Sequence, residues 1–217
     1  MIIRGSLPEV PDRVYILGGG KFGSSAAVKV DRQWPGSHIH LVDTMSSLPS
    51  GIPGEHHTGT DAINFLQEHL EKGRPNDLVI PCIPVHMAFN WVLGHFGFCI
   101  PVPVRLMEFL PGAIAGKDRC IYTSLSDFLC PDSCAEPEGF CPTTEKKRKE
   151  PLFKIIERIS LSSYRVIIVR SEQLLPGVGA VTSKQLFRLL AETRKKIGRS
   201  LIATASRCHG VVHGFIH

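Results

Sequence analysis

Short apolar runs alternate with helical spacings along much of this chain. Arg13 to Leu17 (RVYIL) is an unbroken apolar run that stops at Gly18-Gly19-Gly20. A run of that kind, with no polar face, reads as a strand buried on both sides of a parallel sheet. Residues 21–33 follow as a helix, with Phe22, Ala26, Ala27 and Val30 available to one face, and Pro35-Gly36 ends it. His38 to Val42 (HIHLV) is the next strand and leads to Asp43. Residues 44–58 are rich in Ser, Pro and Gly and read as loop. Thr60 is placed to cap a helix over Asp61 to Lys72, in which Ile63, Leu66 and Leu70 keep helical spacing before Gly73.

Leu78 to Ile80 begins a further strand, stopped by Pro81. Residues 85–96 form an apolar helix with Pro84 at its first turn. Pro101 and Pro103 push a strand over 98–104 to a sheet edge. From Leu110 to Glu150 the pattern loosens into turns and cysteines. Regularity returns with a helix over Leu152 to Ile159 and a strand over Tyr164 to Val169. A tight loop at Pro176 to Gly179 precedes a helix over 183–196 carrying Leu186, Leu189 and Leu190. Strands over Ser200 to Thr204 and Val211 to Ile216 complete the chain. Strand alternating with helix predicts an α/β fold, a doubly wound and mostly parallel sheet with helices on both faces.

Gly18, Gly20 and Gly23 make G-x-G-x-x-G where the first strand gives way to the first helix. In a dinucleotide loop the first glycine makes the tight turn. The second lets the backbone approach a pyrophosphate, and the third lets helix and strand pack closely. The helix start offers unpaired N–H groups to the phosphates, so Lys21 and Phe22 belong to the candidate site. Asp43 ends the next strand, where an acidic side chain accepts hydrogen bonds from the adenosine ribose and repels the extra phosphate of NADP. No Arg follows at 44–46. The expected ligand is therefore NAD(H).

Val14 to Gly23 (VYILGGGKFG), Ile39 to Asp43 (IHLVD) and Gly59-Thr60-Asp61 together resemble NAD(P)-binding Rossmann domains. Among these the chain is most similar to the nucleotide-binding domain of bacterial potassium-uptake regulators and related dehydrogenase-like modules. The resemblance covers about the first hundred residues. It implies a Rossmann-like fold and dinucleotide binding at Gly18, Gly20, Gly23 and Asp43. It does not extend to potassium transport, since residues 110–217 do not resemble the ligand-binding half of those regulators. The expected organisation is a Rossmann-like region over 1–110, a cysteine-containing connection over 111–150 and a C-terminal α/β segment over 151–217. That last segment has little core of its own and is expected to pack on the same sheet.

Composition narrows the partners. Of 217 residues, 43% are hydrophobic and 21% charged, ordinary for a globular chain with a buried core. The net charge of +5 is scattered, except for Lys146-Lys147-Arg148-Lys149 between Glu145 and Glu150. With aromatics at 7%, that run lacks the stacking platforms of a nucleic-acid face. No apolar stretch reaches membrane-spanning length, and Met1-Ile2-Ile3-Arg4 does not read as a signal peptide. A cytoplasmic location follows as the expectation. A homodimer is left open.

Seven cysteines in that setting point to thiols or metal ligands. Cys130, Cys134 and Cys141 lie on one Pro- and Gly-containing stretch, CPDSCAEPEGFCP. Thiolates grouped this way suit zinc or an iron–sulfur cluster. Cys120 and Cys208 are the candidate fourth ligands, with His209 and His213 also near the second. Free thiols remain an equal alternative. Ser171 to Gly179 (SEQLLPGVG) reads as a strand-to-helix turn or an anion loop. His56-His57 reads as solvated, His86 as a core histidine, and Cys82 as either a buried thiol or a group near a nicotinamide. Two functions stay open: a non-catalytic NAD(H)-binding sensor or regulator, or an NAD-dependent oxidoreductase acting on a small molecule.

Overall fold

A computed structural model describes residues 1–217. The chain starts with β1 (Ile2–Ile3) and runs into β2 (Arg13–Leu17), α1 (Lys21–Gln33), β3 (His38–Val42) and β4 (Glu55–His57). It continues through α2 (Ala62–His69), β5 (Leu78–Pro81), α3 (Met87–Leu93) and β6 (Phe98–Ile100). A 3-10 turn (Val104–Phe109) precedes β7 (Ile114–Ala115), β8 (Ile121–Ser124) and α4 (Leu152–Glu157). The remainder is β9 (Tyr164–Arg170), β10 (Glu172–Leu175), β11 (Val178–Thr182), α5 (Ser183–Arg194), β12 (Arg199–Ala205) and β13 (His209–Ile216).

The strands divide between two sheets rather than extending one. The first has the order β10-β11-β5-β2-β3-β4, with β5, β2, β3 and β4 all parallel and the β10–β11 hairpin antiparallel at one end. The second has the order β1-β9-β12-β13-β8-β7, with β6 also on β13. Its first three strands are parallel and its later pairs antiparallel. The expected α/β class holds. The segment after residue 150 supplies the hairpin to the first sheet and the centre of the second.

Alternation along the strands explains the layering. In β2, Val14 and Ile16 pack against Ala26, Ala27 and Val30 of α1. Tyr15 and Leu17 face the opposite way, into a core shared with α2, α3 and α5. The same core takes Ile167 and Val169 of β9 and Ile202 of β12. Their neighbours Val166, Ile168 and Leu201 point to the far face, against Leu152, Phe153 and Ile156 of α4. Three helices thus lie between two sheets, and each sheet has a helix on its outer face. Strands buried on both sides need the continuous apolar runs seen in the sequence.

The two ends of the chain interlock. β1 pairs with β9, and the Met1 amino group donates to the Val166 carbonyl at 3.1 Å. Gln185, in the first turn of α5, is buried. Its Nε2 donates to the carbonyls of Ile3 (3.2 Å) and Arg170 (2.8 Å), while its Oε1 accepts from the Thr182 amide. Thr182 returns the contact as N-cap, its Oγ1 accepting from the Gln185 amide at 3.2 Å. Thr182→Ala removes that acceptor and is expected to lower stability by about 1 kcal/mol. Urea unfolding monitored by far-ultraviolet circular dichroism checks it; an unchanged midpoint would contradict the capping assignment.

Several boundaries differ from expectation. Residues 44–58 contain β4, which pairs along the edge of β3. Asp61, not Thr60, caps α2, its Oδ1 accepting from Ile63 and Asn64 amides. A carboxylate one residue nearer the helix reaches both amides, whereas Thr60 donates to the Thr58 carbonyl instead. α3 begins at Met87, because His86 turns its side chain into the core. Pro176 and Gly177 are the turn of the β10–β11 hairpin, and Val178 and Gly179 already lie in β11. Residues 110–150 hold β7 and β8, which reach the second sheet through β13. No helix is long and apolar enough to cross a membrane.

Candidate functional site

The glycine loop lies at the C-terminal ends of the first sheet's parallel strands, and each glycine has a distinct geometric requirement. Gly18 has φ +95, and its amide donates to the Val42 carbonyl at 2.7 Å. A Cβ there would stand 2.7 Å from the Cys82 carbonyl oxygen, so conformation and space both exclude a side chain. Gly20 is the N-cap of α1, with no side-chain cap, and a Cβ on it would meet nothing. Gly23 is the reverse case. A Cβ there would overlap the Gly18 carbonyl, so α1 sits on the loop at a distance only glycine permits.

Asp43 follows β3. Its Oδ2 accepts from the Gly19 amide at 2.5 Å and its Oδ1 from the Met45 amide at 2.8 Å. An ionised carboxylate has about four acceptor positions, so two remain. Leu48, from the loop after β3, covers Gly19. Lys21 pairs with Asp132 of the cysteine segment at 2.5 Å, and Phe22 is exposed.

Beside this loop is a cavity of about 450 Å³ walled by Phe22, Ala26, Pro81, Cys82, Ile83 and Gly177. Cys82 is its one ionisable side chain, and burial pushes that thiol up to about 11. The β10–β11 turn separates it from a second cavity of about 200 Å³, and Gly177 to Gly179 line both. Gly177 has φ +76, and the Asp132 carbonyl occupies the space its side chain would take. Its amide and the Gln173 Nε2 both donate to the Cys134 carbonyl at 2.8 Å. The second glycine stretch therefore serves to seat the cysteine segment. Lys29 of α1 ties the turn down through the Pro176 carbonyl.

The second cavity gathers Cys130, Cys134, Cys208, His209 and Glu136. Cys130 Sγ lies 3.5 Å from His209 Nε2 and 3.3 Å from Ser126 Oγ. Glu136 is the hub of the segment, its Oε1 accepting from Ser206 Oγ at 2.5 Å and from the Cys208 amide at 3.0 Å. Burial, helped by the Glu136 charge, pushes the Cys208 thiol up to about 12. Burial also lowers the proton affinity of His209. Cys141 and Cys120 are elsewhere. Cys141 lines a neighbouring cavity, where the Thr144 hydroxyl and nearby amides lower its thiol to about 7. Cys120 is buried against Gly116, near β8.

A tetrahedral zinc ion with bonds of about 2.3 Å to sulfur and 2.0 Å to nitrogen sets those ligands roughly 3.5 Å apart. Cys130 and His209 stand at that spacing. The thiols of Cys134 and Cys208 share the cavity without closing on the pair, since no three ligand atoms here lie within 4.8 Å of one another. The segment thus presents two placed ligands and two more within the same walls. His209 and Glu136 have no periodic signature, and their roles come from contacts more than seventy positions apart.

Residues 87–217 match the family model described as "Uncharacterized protein, C-terminal domain". The chain belongs to that family. The match starts at the first residue of α3 and takes in the cysteine segment, the β10–β11 hairpin and most of the second sheet. Family membership therefore covers the thiol cavity, while the glycine loop precedes it. An "Uncharacterized protein" of Archaeoglobus fulgidus is 28% identical over 221 residues, covering 91% of this chain and 96% of the relative. That likeness spans both halves. No solved structure matches.

Proposed function

We propose that the chain binds NAD(H) at the loop of Gly18, Gly20 and Gly23 and acts as a sensor or regulatory module, with a thiol-lined metal site beside the ligand. The observation that carries this reading is the open space over Gly20 at an uncapped helix start, in a loop whose other two glycines are sterically required. The parallel strands support it. Taken from β2 in chain order, they lie third-second-first-fourth, the order in which the first four strands of a Rossmann sheet lie, and ligands of such sheets bind beyond the strand ends. Asp43 supplies the ribose acceptor through its two remaining positions.

The nicotinamide end would enter the cavity walled by Ile80 to Pro84 and Gly177. A dehydrogenase needs a general acid or base there. A thiol held protonated to about 11 does not fill that role at neutral pH, which favours binding over turnover. The hairpin that walls this cavity also walls the thiol cavity, which sets the two sites on either side of one turn. A metal there would take Cys130 and His209 first.

The test is calorimetric titration of the full chain with NADH and NADPH. NADH is expected to bind, with NADPH weaker. Gly20→Val is expected to abolish binding at an unchanged melting temperature, since its side chain enters otherwise empty space. Asp43→Asn is expected to narrow the preference between the two nucleotides. Equal affinities in the unmodified protein would sink the selectivity, and full binding by Gly20→Val would move the site elsewhere.

A further inference from the structure

The free edge of the first sheet carries another group of ligand-type side chains, away from the cysteines. β3 and β4 pair in parallel with His40 opposite Glu55 and Val42 opposite His57. Alternate strand residues share a face, so His40, Glu55 and His57 project together toward α2. Tyr15 stacks on His40 with ring centres 5.1 Å apart, and Phe65 of α2 lies 4.4 Å from His57. These rings hold both imidazoles. His40 Nδ1 and His57 Nε2 stand 3.1 Å apart. Glu55 reaches both, its Oε2 3.5 Å from His40 Nδ1 and its Oε1 3.7 Å from His57 Nε2. No other set of three His, Cys, Asp or Glu ligand atoms in the protein lies within 4.8 Å of one another.

We propose that His40, Glu55 and His57 bind one divalent transition-metal ion of the zinc class, with water in the remaining position. Bonds of about 2.0–2.2 Å to imidazole nitrogen and carboxylate oxygen set tetrahedral ligands roughly 3.3 Å apart. The imidazole nitrogens stand 3.1 Å apart and each has a different Glu55 oxygen at 3.5 or 3.7 Å, so rotation of that exposed side chain seats one oxygen against both. Two imidazoles with a carboxylate suit zinc, cobalt or nickel over calcium or magnesium, which prefer oxygen alone. Without an ion, one proton between the two rings is the only hydrogen bond joining them, and the Glu55 side chain, 67% exposed, stands against both rings without a hydrogen bond of its own. Glu55 stands at the solvent side of the two half-buried histidines, so the open position faces water. An ion here would pin the three-residue strand β4, whose last residue, His57, accepts at its carbonyl from the Asp43 amide.

Cobalt distinguishes this site from the cysteine cavity, because nitrogen and oxygen ligands give visible bands without the near-ultraviolet thiolate charge transfer. Chelator-stripped full-length protein is expected to take up one equivalent of Co²⁺ at this site with nitrogen–oxygen visible bands, whatever the cysteine cavity adds, and Zn²⁺ is expected to displace it. The same equivalent is expected to persist when Cys130, Cys134 and Cys208 are all replaced by Ser. His57→Ala removes a ligand and is expected to weaken binding by on the order of 100-fold or more, since even outer partners of metal ligands cost up to that. Glu55→Gln changes an exposed side chain, is expected to keep the native melting temperature, and is expected to weaken binding at least about 10-fold. Absence of a thiolate-free cobalt spectrum in that triple Ser variant would overturn the proposal. So would Glu55→Gln binding as tightly as the unmodified chain.

Discussion

Gly23→Ala is expected to lower stability by at least about 3 kcal/mol, whereas Gly20→Ala is expected to cost less than about 1 kcal/mol. Helix propensity alone argues the opposite for Gly23, because alanine in a helix interior is favoured over glycine by about 1 kcal/mol. Sterics decides the sign. The Cβ on Gly23 would overlap the carbonyl oxygen of Gly18 and reach within 3.4 Å of Ile16 Cγ2. No side-chain rotation relieves a clash with backbone, so α1 would have to lift from β2. That motion opens the packing of Ala26, Ala27 and Val30 on Val14 and Ile16. Gly20 has φ −66, which alanine adopts freely, and its Cβ would meet nothing. The two variants also separate folding from binding. Gly23→Ala loses both together, with a drop in melting temperature of roughly 10 °C. Gly20→Ala is expected to keep the melting temperature and, on the proposed site, to weaken NADH. Thermal melts and NADH titration on both proteins check this. A Gly23→Ala protein as stable as the unmodified chain would show that the loop and helix are not in close contact.

The sequence made that contrast visible in outline, because a glycine's task follows from its position between strand and helix. The strands RVYIL and YRVIIV were legible for a related reason. Burial on both faces removes the polar alternation that a half-exposed strand would show. β4 was not legible. Glu55-His56-His57 has no apolar period, and it becomes a strand only because β3 offers an unpaired edge beside it. The His40–Glu55–His57 group was hidden with it, since a loop reading gives no register to set those side chains on one face. The division into two sheets was hidden by distance. β1 finds β9 more than 160 residues later, and nothing local in Ile2-Ile3 announces a partner. The cysteines show the same limit. Sequence proximity grouped Cys141 with Cys130 and Cys134, but the fold brings Cys208 and His209 to that cavity through β13 and places Cys141 in the next one.

Acid is expected to destabilise the protein from pH 6.5 downward through a buried histidine pair, by about 3 kcal/mol from His213 alone. His86 and His213 meet Nδ1 to Nδ1 at 2.9 Å, one ring donating and the other accepting. His86 Nε2 pairs with Thr204 Oγ1 at 2.8 Å, and Phe89 stacks on His213 with ring centres 4.2 Å apart. Both rings are buried between the two sheets. Burial lowers the His213 pKa to about 4, against a weaker opposing pull from Asp118. Burial and the neighbouring His213 lower His86 in the same direction. Below pH 6.5 the unfolded chain therefore binds protons that the folded chain refuses. The unfolded state holds more protons, so stability falls as pH falls. The loss from His213 grows between pH 6.5 and about 4, then levels off once the folded ring also protonates. Above pH 6.5 the pair contributes no slope. Burial depresses His40, His57 and His209 as well, so the pair must be isolated by difference. The double variant His86→Leu, His213→Phe removes both titrating rings while keeping an aromatic against Phe89. Urea unfolding at pH 7.0 and pH 5.0 is the measurement. The unmodified protein is expected to lose at least about 2 kcal/mol more than the double variant between those two values, the amount due to His213 alone, with His86 adding to it. Equal losses in both proteins would mean that the pair protonates in the folded state as readily as in water, and that the space between the sheets is wet.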